Sequence, residues 1–153
     1  MSGHHGITVE GFVDAVAVGR DDHARRIALF LAVRDLPYAT DCAYDADGLI
    51  AVGRGNCLAK ADLLWHGFRQ IGVGVRRVKW RYELPPSPPE VALLPSKVDI
   101  HTAVEIAIDG AWILVDATHD PSLANGGADG RRLGWSQSDC AQLCSLRTGL
   151  AGR

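Results

Sequence analysis

Apolar residues fall at helical spacing along two stretches of the chain and alternate as in strands along three others. After Asp21-Asp22, placed as an N-terminal cap, Ala24, Ile27, Ala28 and Leu31 recur at that spacing until the Leu36-Pro37 step, which predicts a helix with a buried face. After Asn56, Ala61, Leu64, Trp65, Phe68 and Ile71 form a second stripe that closes at Gly72, so Cys57 stands in the first turn of a second helix. Residues 73–82 are β-branched and aromatic enough for a strand. Residues 100–108 and 111–115 read as two more strands, joined by Asp109-Gly110, a strong two-residue hairpin signal. Between these elements the pattern weakens. Residues 1–17 alternate faintly and fit a strand or an ordered arm, whereas residues 38–55, rich in Asp and Gly, read as a loop. Pro85, Pro86, Pro88 and Pro89 make residues 84–95 an irregular connection where a flap over a substrate could sit. From His119 on the chain is Gly-rich, with a further helical stretch over residues 136–146.

The hairpin turn fixes a register. With a two-residue turn, Ile108 faces Ala111, Ile106 faces Ile113 and Val104 faces Val115, which makes one face of the ribbon wholly apolar. The opposite face pairs Ala107 with Trp112, Glu105 with Leu114, Ala103 with Asp116 and His101 with Thr118. His101 and Asp116 are then diagonal neighbours with backbones roughly 7–8 Å apart, within reach of an imidazole and a carboxylate. Ala103 and Ala107 are small, so a helix could pack closely over this face.

The 153 residues are 47% hydrophobic and 22% charged, which suits one domain over residues 1–153 of α+β class. A formal charge of −2, with Lys and Arg scattered, gives no electrostatic footprint for nucleic acid. Glu10 and Asp14 interrupt the one apolar candidate for a leader, and no apolar run is long enough to span a bilayer, so a cytoplasmic protein is expected. In that reducing compartment Cys42, Cys57, Cys140 and Cys144 should be free thiols.

A lone helical cysteine is ordinarily a small buried hydrophobe, and a lone histidine at a strand start is ordinarily structural. Their combination here changes the reading. A helix N-terminus favours the thiolate, a neighbouring histidine takes its proton, and a carboxylate holds that ring in one tautomer. Cys57, His101 and Asp116 supply those three roles.

The context of these residues resembles the transglutaminase-like branch of the papain-like cysteine enzymes. Gly53-Arg54-Gly55-Asn56-Cys57, the following helix and Ile71-Gly72-Val73-Gly74-Val75-Arg76 look like that family's Gly-x-Gly-x-Cys segment, helix and strand entry. His101, and Gly110-Ala111-Trp112-Ile113-Leu114-Val115-Asp116-Ala117-Thr118, are similar to its histidine strand and its Gly-x-Trp-x-x-x-Asp-x-Thr strand. Ala32-Val33-Arg34-Asp35-Leu36-Pro37-Tyr38 looks like the helix end before the cysteine loop, so the resemblance covers about residues 21–122. Ala103, where an aromatic is common, and Ala117, where Pro is common, depart from the family pattern and bear on acceptor and substrate fit.

The resemblance implies a cysteine helix packed on an antiparallel sheet, with Cys57, His101 and Asp116 catalytic. It also implies acyl transfer through a thioester on a peptide, a protein or a small amide, with no cofactor and no metal. Water as acceptor gives a peptidase or amidase, the preferred reading; an amine acceptor gives a transglutaminase; loss of chemistry gives a binding member of the family. Trp80 and Trp112 each read as sheet packing or as a wall of a substrate cleft, and Trp112 is the one expected against the substrate. Two weaker patterns are read as ordinary structure. Cys140-x-x-x-Cys144, even with His66 or His119, is loosely spaced for zinc. Asp41, Asp45, Asp47 and Gly48 lack the ligand order of a calcium loop.

Overall fold

Thr8 starts the first helix, its hydroxyl accepting the Gly11 N–H at 3.1 Å, in a computed structural model that describes residues 6–83 and 98–121. Helix α1 (Val9–Ala17) buries Val9 and Val13 and packs Phe12 and Val16 against the same core. The faint alternation of residues 1–17 therefore hides a helical stripe, and neither the strand nor the arm forms over residues 9–17.

Helix α2 (Asp22–Arg34) is capped by the Asp21 carboxylate, which accepts the Ala24 N–H at 2.8 Å. Its buried residues are Leu29, Phe30 and Val33, while Leu31 is 37% exposed and Ala24, Ile27 and Ala28 are half-buried. The helix lies as expected but turned, with Leu29, Phe30 and Val33 in the core cluster in place of the anticipated stripe.

Residues 38–55 are not a plain loop. They form strand β1 (Tyr38–Ala43) and helix α3 (Ala46–Val52), which Asp45 caps by accepting the Gly48 N–H at 2.8 Å. Two of the acidic residues reminiscent of a calcium loop have local tasks instead, Asp45 as this cap and Asp41 as acceptor of the Cys42 thiol. Ala43, Ala46 and Leu49 are buried. Gly55, which precedes the cysteine, bridges β1 and donates its N–H to the Pro37 carbonyl at 3.2 Å. A Cβ there would stand 3.0 Å from Ala59 Cβ and 3.1 Å from a Leu49 methyl, so a side chain would push the cysteine loop off the core.

Helix α4 (Cys57–Gln70) begins at Asn56, whose side-chain oxygen accepts the Ala59 N–H at 3.1 Å. It buries Ala59, Lys60, Ala61, Leu63, Leu64, Gly67 and Phe68. Trp65, expected in the core, is half-buried beneath the Arg69 and Arg77 guanidinium groups, at 4.4 and 4.2 Å.

Strands β2 (Val75–Glu83), β3 (Val98–Ile108) and β4 (Ala111–Val115) form an antiparallel sheet in the order β2-β3-β4. Asp109 and Gly110 both have positive φ, 49° and 80°, the geometry of a type I′ turn. The expected register holds from Ile108↔Ala111 to Val104↔Val115. Helix α4 covers the apolar face: Val104, Ile106 and Val115 share its core cluster, and Asp62 of α4 pairs with Arg77, the β2 partner of Val104. Among the described residues α4 lies on the other face from Ala103 and Ala107, of which Ala103 is buried and Ala107 exposed. No helix among the described residues is long and apolar enough to cross a membrane. The Pro-rich connection, the helical stretch at residues 136–146, Cys140 and Cys144 lie outside the described residues.

Candidate active site

The route by which Cys57 meets His101 follows from strand geometry. Ala107 donates its N–H to the Gly74 carbonyl on the β2 side, at 2.8 Å, so odd-numbered N–H groups of β3 point to β2 and even-numbered ones to β4. Strand β4 ends at Val115, opposite Val104, which leaves the next even-numbered donor, the Thr102 N–H, facing an edge that β4 has left. The first turn of α4 reaches that edge. Cys57 Sγ takes the Thr102 N–H and a hydrogen bond with the His101 ring, so the cysteine approaches from the edge of β3 although its helix lies on the opposite face from His101.

His101 is 4% exposed, and its Nε2 lies 2.7 Å from Asp116 Oδ2. The diagonal pairing expected from the hairpin is thus present. With Nε2 on the carboxylate, Nδ1 is the ring nitrogen left to the thiol. Asp116 is held in turn by Thr118, whose backbone N–H and hydroxyl both donate to Oδ1, at 3.0 and 2.6 Å. The Thr118 hydroxyl also comes within 3.5 Å of His101 Nε2, so the cross-strand relation of residues 101 and 118 persists beyond the last ladder pair.

Each member of this chain of contacts has a perturbed pKa. Burial pushes the Cys57 thiol up, but the His101 hydrogen bond, the Thr102 N–H and the His101 charge outweigh it and the pKa falls. Burial alone would depress His101; hydrogen bonds to Asp116 and Cys57, with their charges, lift it to about 9. Burial raises the Asp116 carboxyl, and His101 and Thr118 together bring it below its ordinary value. All three shifts favour a thiolate, an imidazolium and a carboxylate in one row.

These shifts set a pH dependence of stability. His101 titrates at about 9 rather than 6.5, so the stability it contributes is complete below about 6.5 and is lost as pH rises through about 9. The lowered Cys57 pKa acts oppositely: its contribution is present above the ordinary thiol value and is lost as pH falls through the folded one. Where the two windows overlap the two slopes oppose each other. Cys57→Ala leaves the His101–Asp116 contribution alone, so its Tm should fall from about pH 6.5 toward about pH 8, where Lys60 begins to oppose. Thermal melts of Cys57→Ala and of Cys57→Ala/His101→Gln check this, since the fall should be absent from the double variant.

Trp112 does not join the other three. It pairs with Ala107, six residues along β3 from His101 and so about 20 Å away, and lies 46% exposed beneath Arg76. The tryptophan at the site is Trp80, the β2 partner of His101, with ring centroids 4.8 Å apart. Its signal in the sequence was the strand pairing itself, which needs the β2–β3 register and has no local turn to fix it.

Tyr38 and Asp120 also belong to the surroundings. The Tyr38 backbone N–H donates to Asp120 Oδ2 at 2.8 Å, and its phenol pKa is raised by burial first and then by the charges of Cys57 and Asp99. Among the described residues no group of three or more His, Cys, Asp or Glu side chains is arranged to hold a metal ion.

No family model matches the chain, and no curated protein matches it. Among solved structures the fold is similar to that of a candidate cysteine protease from Cytophaga hutchinsonii, with 20% identity and a TM-score of 0.56 over 72% of this chain. The chain spans about a third of that protein's length, 36% of it. At this identity the likeness extends to the α+β fold, helices on an antiparallel sheet, of a cysteine protease-like structure.

Proposed function

We propose that the chain is a thiol hydrolase of transglutaminase-like type that cleaves an amide through an acyl-thioester on Cys57. The carrying observation is the continuous contact from the Cys57 thiol through the His101 ring to Asp116 Oδ2 at 2.7 Å. The Cys57 thiolate attacks the carbonyl carbon, and the electron pair of the C=O moves to oxygen. The Cys57 backbone N–H, at the start of α4 and not taken by the Asn56 cap, would donate to that oxyanion. The tetrahedral intermediate collapses as His101 gives its proton to the leaving nitrogen, and the C–N bond breaks. Water, deprotonated by His101, then attacks the thioester, releasing the acid and restoring the thiolate and the imidazolium. Asp116 keeps the ring in the tautomer that both steps need. Water as acceptor agrees with the protease description of the structurally similar Cytophaga protein.

The test is the pH dependence of iodoacetamide alkylation, followed by acceptor competition. Cys57 should alkylate as a thiolate well below the ordinary thiol value of about 8.5, and an ordinary profile overturns the proposal. With a glutamine-containing peptide and a labelled amine, ammonia release without labelling is the expected result. Labelling in excess of simple hydrolysis would make the enzyme a transglutaminase.

A further inference from the structure

Lys60 stands one helical turn after Cys57, on the buried side of α4, and is 1% exposed. A lysine so deeply enclosed needs partners for its ammonium group, and the two that it has are main-chain oxygens of distant segments. Nζ donates to the Arg34 carbonyl at the end of α2, at 3.1 Å, and to the Thr118 carbonyl beyond β4, at 3.0 Å. Thr118 is the residue whose N–H and hydroxyl clamp Asp116 Oδ1. The hydrogen bonds therefore run from the cysteine helix, through the Lys60 ammonium and the Thr118 carbonyl, to the carboxylate that holds His101.

We propose that Lys60 is a positioning residue: by holding the Thr118 carbonyl it fixes the Asp116–Thr118 bracket, and with it the orientation of the His101 ring. The role rests on the reading of His101 as the proton carrier of the site, and it explains why a charge is kept where apolar packing would serve. Replacing a buried ion by a hydrophobe of similar volume is often neutral for stability. The segment after Val115 has no strand partner among the described elements, so its course depends on side-chain contacts such as this one. Asp120, Asp116 and Asp35 are the acidic groups that act on the ammonium, Arg34 is the opposing cation, and His119, whose pKa is lowered by burial first, is coupled to both Lys60 and His101. Burial lowers its pKa to about 8, against the pull of those carboxylates, so the group is a cation at neutral pH.

The test separates positioning from charge and from bulk. In a Cys57→Ala background, His101 titrates without its thiol partner, and its pKa can be followed by the ring C–H resonance. Removing a nearby positive charge by Lys60→Met would by itself raise the His101 pKa, whereas loss of the carboxylate bracket lowers it. A fall of about one unit is expected, with Lys60→Arg, which keeps charge and donors, recovering most of it. A His101 pKa that rises or stays in Lys60→Met overturns the proposal. Lys60→Leu is the second neutral variant, because it too removes every donor to the Thr118 carbonyl; an unchanged or raised pKa in whichever neutral variant folds likewise overturns the positioning role. Failure of the catalytic reading appears separately, as an ordinary alkylation profile of Cys57 in the unmodified chain.

Discussion

Cys57→Ser is expected to lower amide turnover by at least about 10⁴-fold while leaving the fold intact. Serine is nearly isosteric with cysteine, and the position is only half-buried, so packing has little reason to change. The chemistry changes entirely. The site lowers the thiol pKa and raises that of His101 to about 9, and both shifts favour the ion pair in which the proposed nucleophile has given up its proton. A serine hydroxyl remains protonated beside the same ring. It must then be deprotonated during attack by a histidine that Asp116, against the effect of burial, holds in its protonated form. The measurements are turnover of an amide substrate, circular dichroism, and mass spectrometry for an acyl adduct, which should vanish. Residual turnover above about one per cent would leave Cys57 without the assigned role.

The His101–Asp116 contact was legible in the sequence, and the reason is local. Asp109-Gly110 admits one tight turn, and that turn dictates every pair back to Val104↔Val115 and the faces of the residues beyond. The cap of α4 was legible for the same reason, since Asn56 and its stripe are contiguous in the chain. What joins the two halves was not. The Thr102 N–H is left to donate to Cys57 Sγ because β4 ends at Val115, two residues before it would pair with Thr102, and strand length is a tertiary outcome with no local code.

Helix faces are ambiguous in the sequence where two stripes compete. In α2 the Ala24–Leu31 spacing is as regular as that of Leu29, Phe30 and Val33, and only packing against other helices chooses between them. In α1 the stripe of Val9, Phe12, Val13 and Val16 is present but interrupted by Glu10 and Asp14, which lie on the other face. A helix as short as α3, seven residues, completes too few turns to show a period. Lys60 is the extreme case. A lysine in a helical pattern reads as solvated, and its burial depends on carbonyl groups 26 and 58 residues away.

Asp116→Asn is expected to cost about 10²- to 10⁴-fold in turnover, although cysteine enzymes with an asparagine in the third position exist. The difference lies in how Asp116 is surrounded. Oδ2 faces His101 Nε2 at 2.7 Å, and Oδ1 accepts two donors from Thr118, at 3.0 and 2.6 Å, so both oxygens are occupied by groups that give hydrogen. An asparagine has one acceptor oxygen and one donor nitrogen. If its oxygen faces His101, its NH₂ group meets the Thr118 N–H; if it turns, the NH₂ group meets the ring and selects the wrong tautomer. Either way the His101 pKa should fall, because burial, which lowers it, is no longer outweighed by a carboxylate. The Cys57 thiol then loses the imidazolium that stabilises its anion, and the alkylation profile moves to higher pH. Turnover within about tenfold of the unmodified chain, with the profile unmoved, would show that the carboxylate charge is dispensable and that the geometry of Thr118 alone holds the ring.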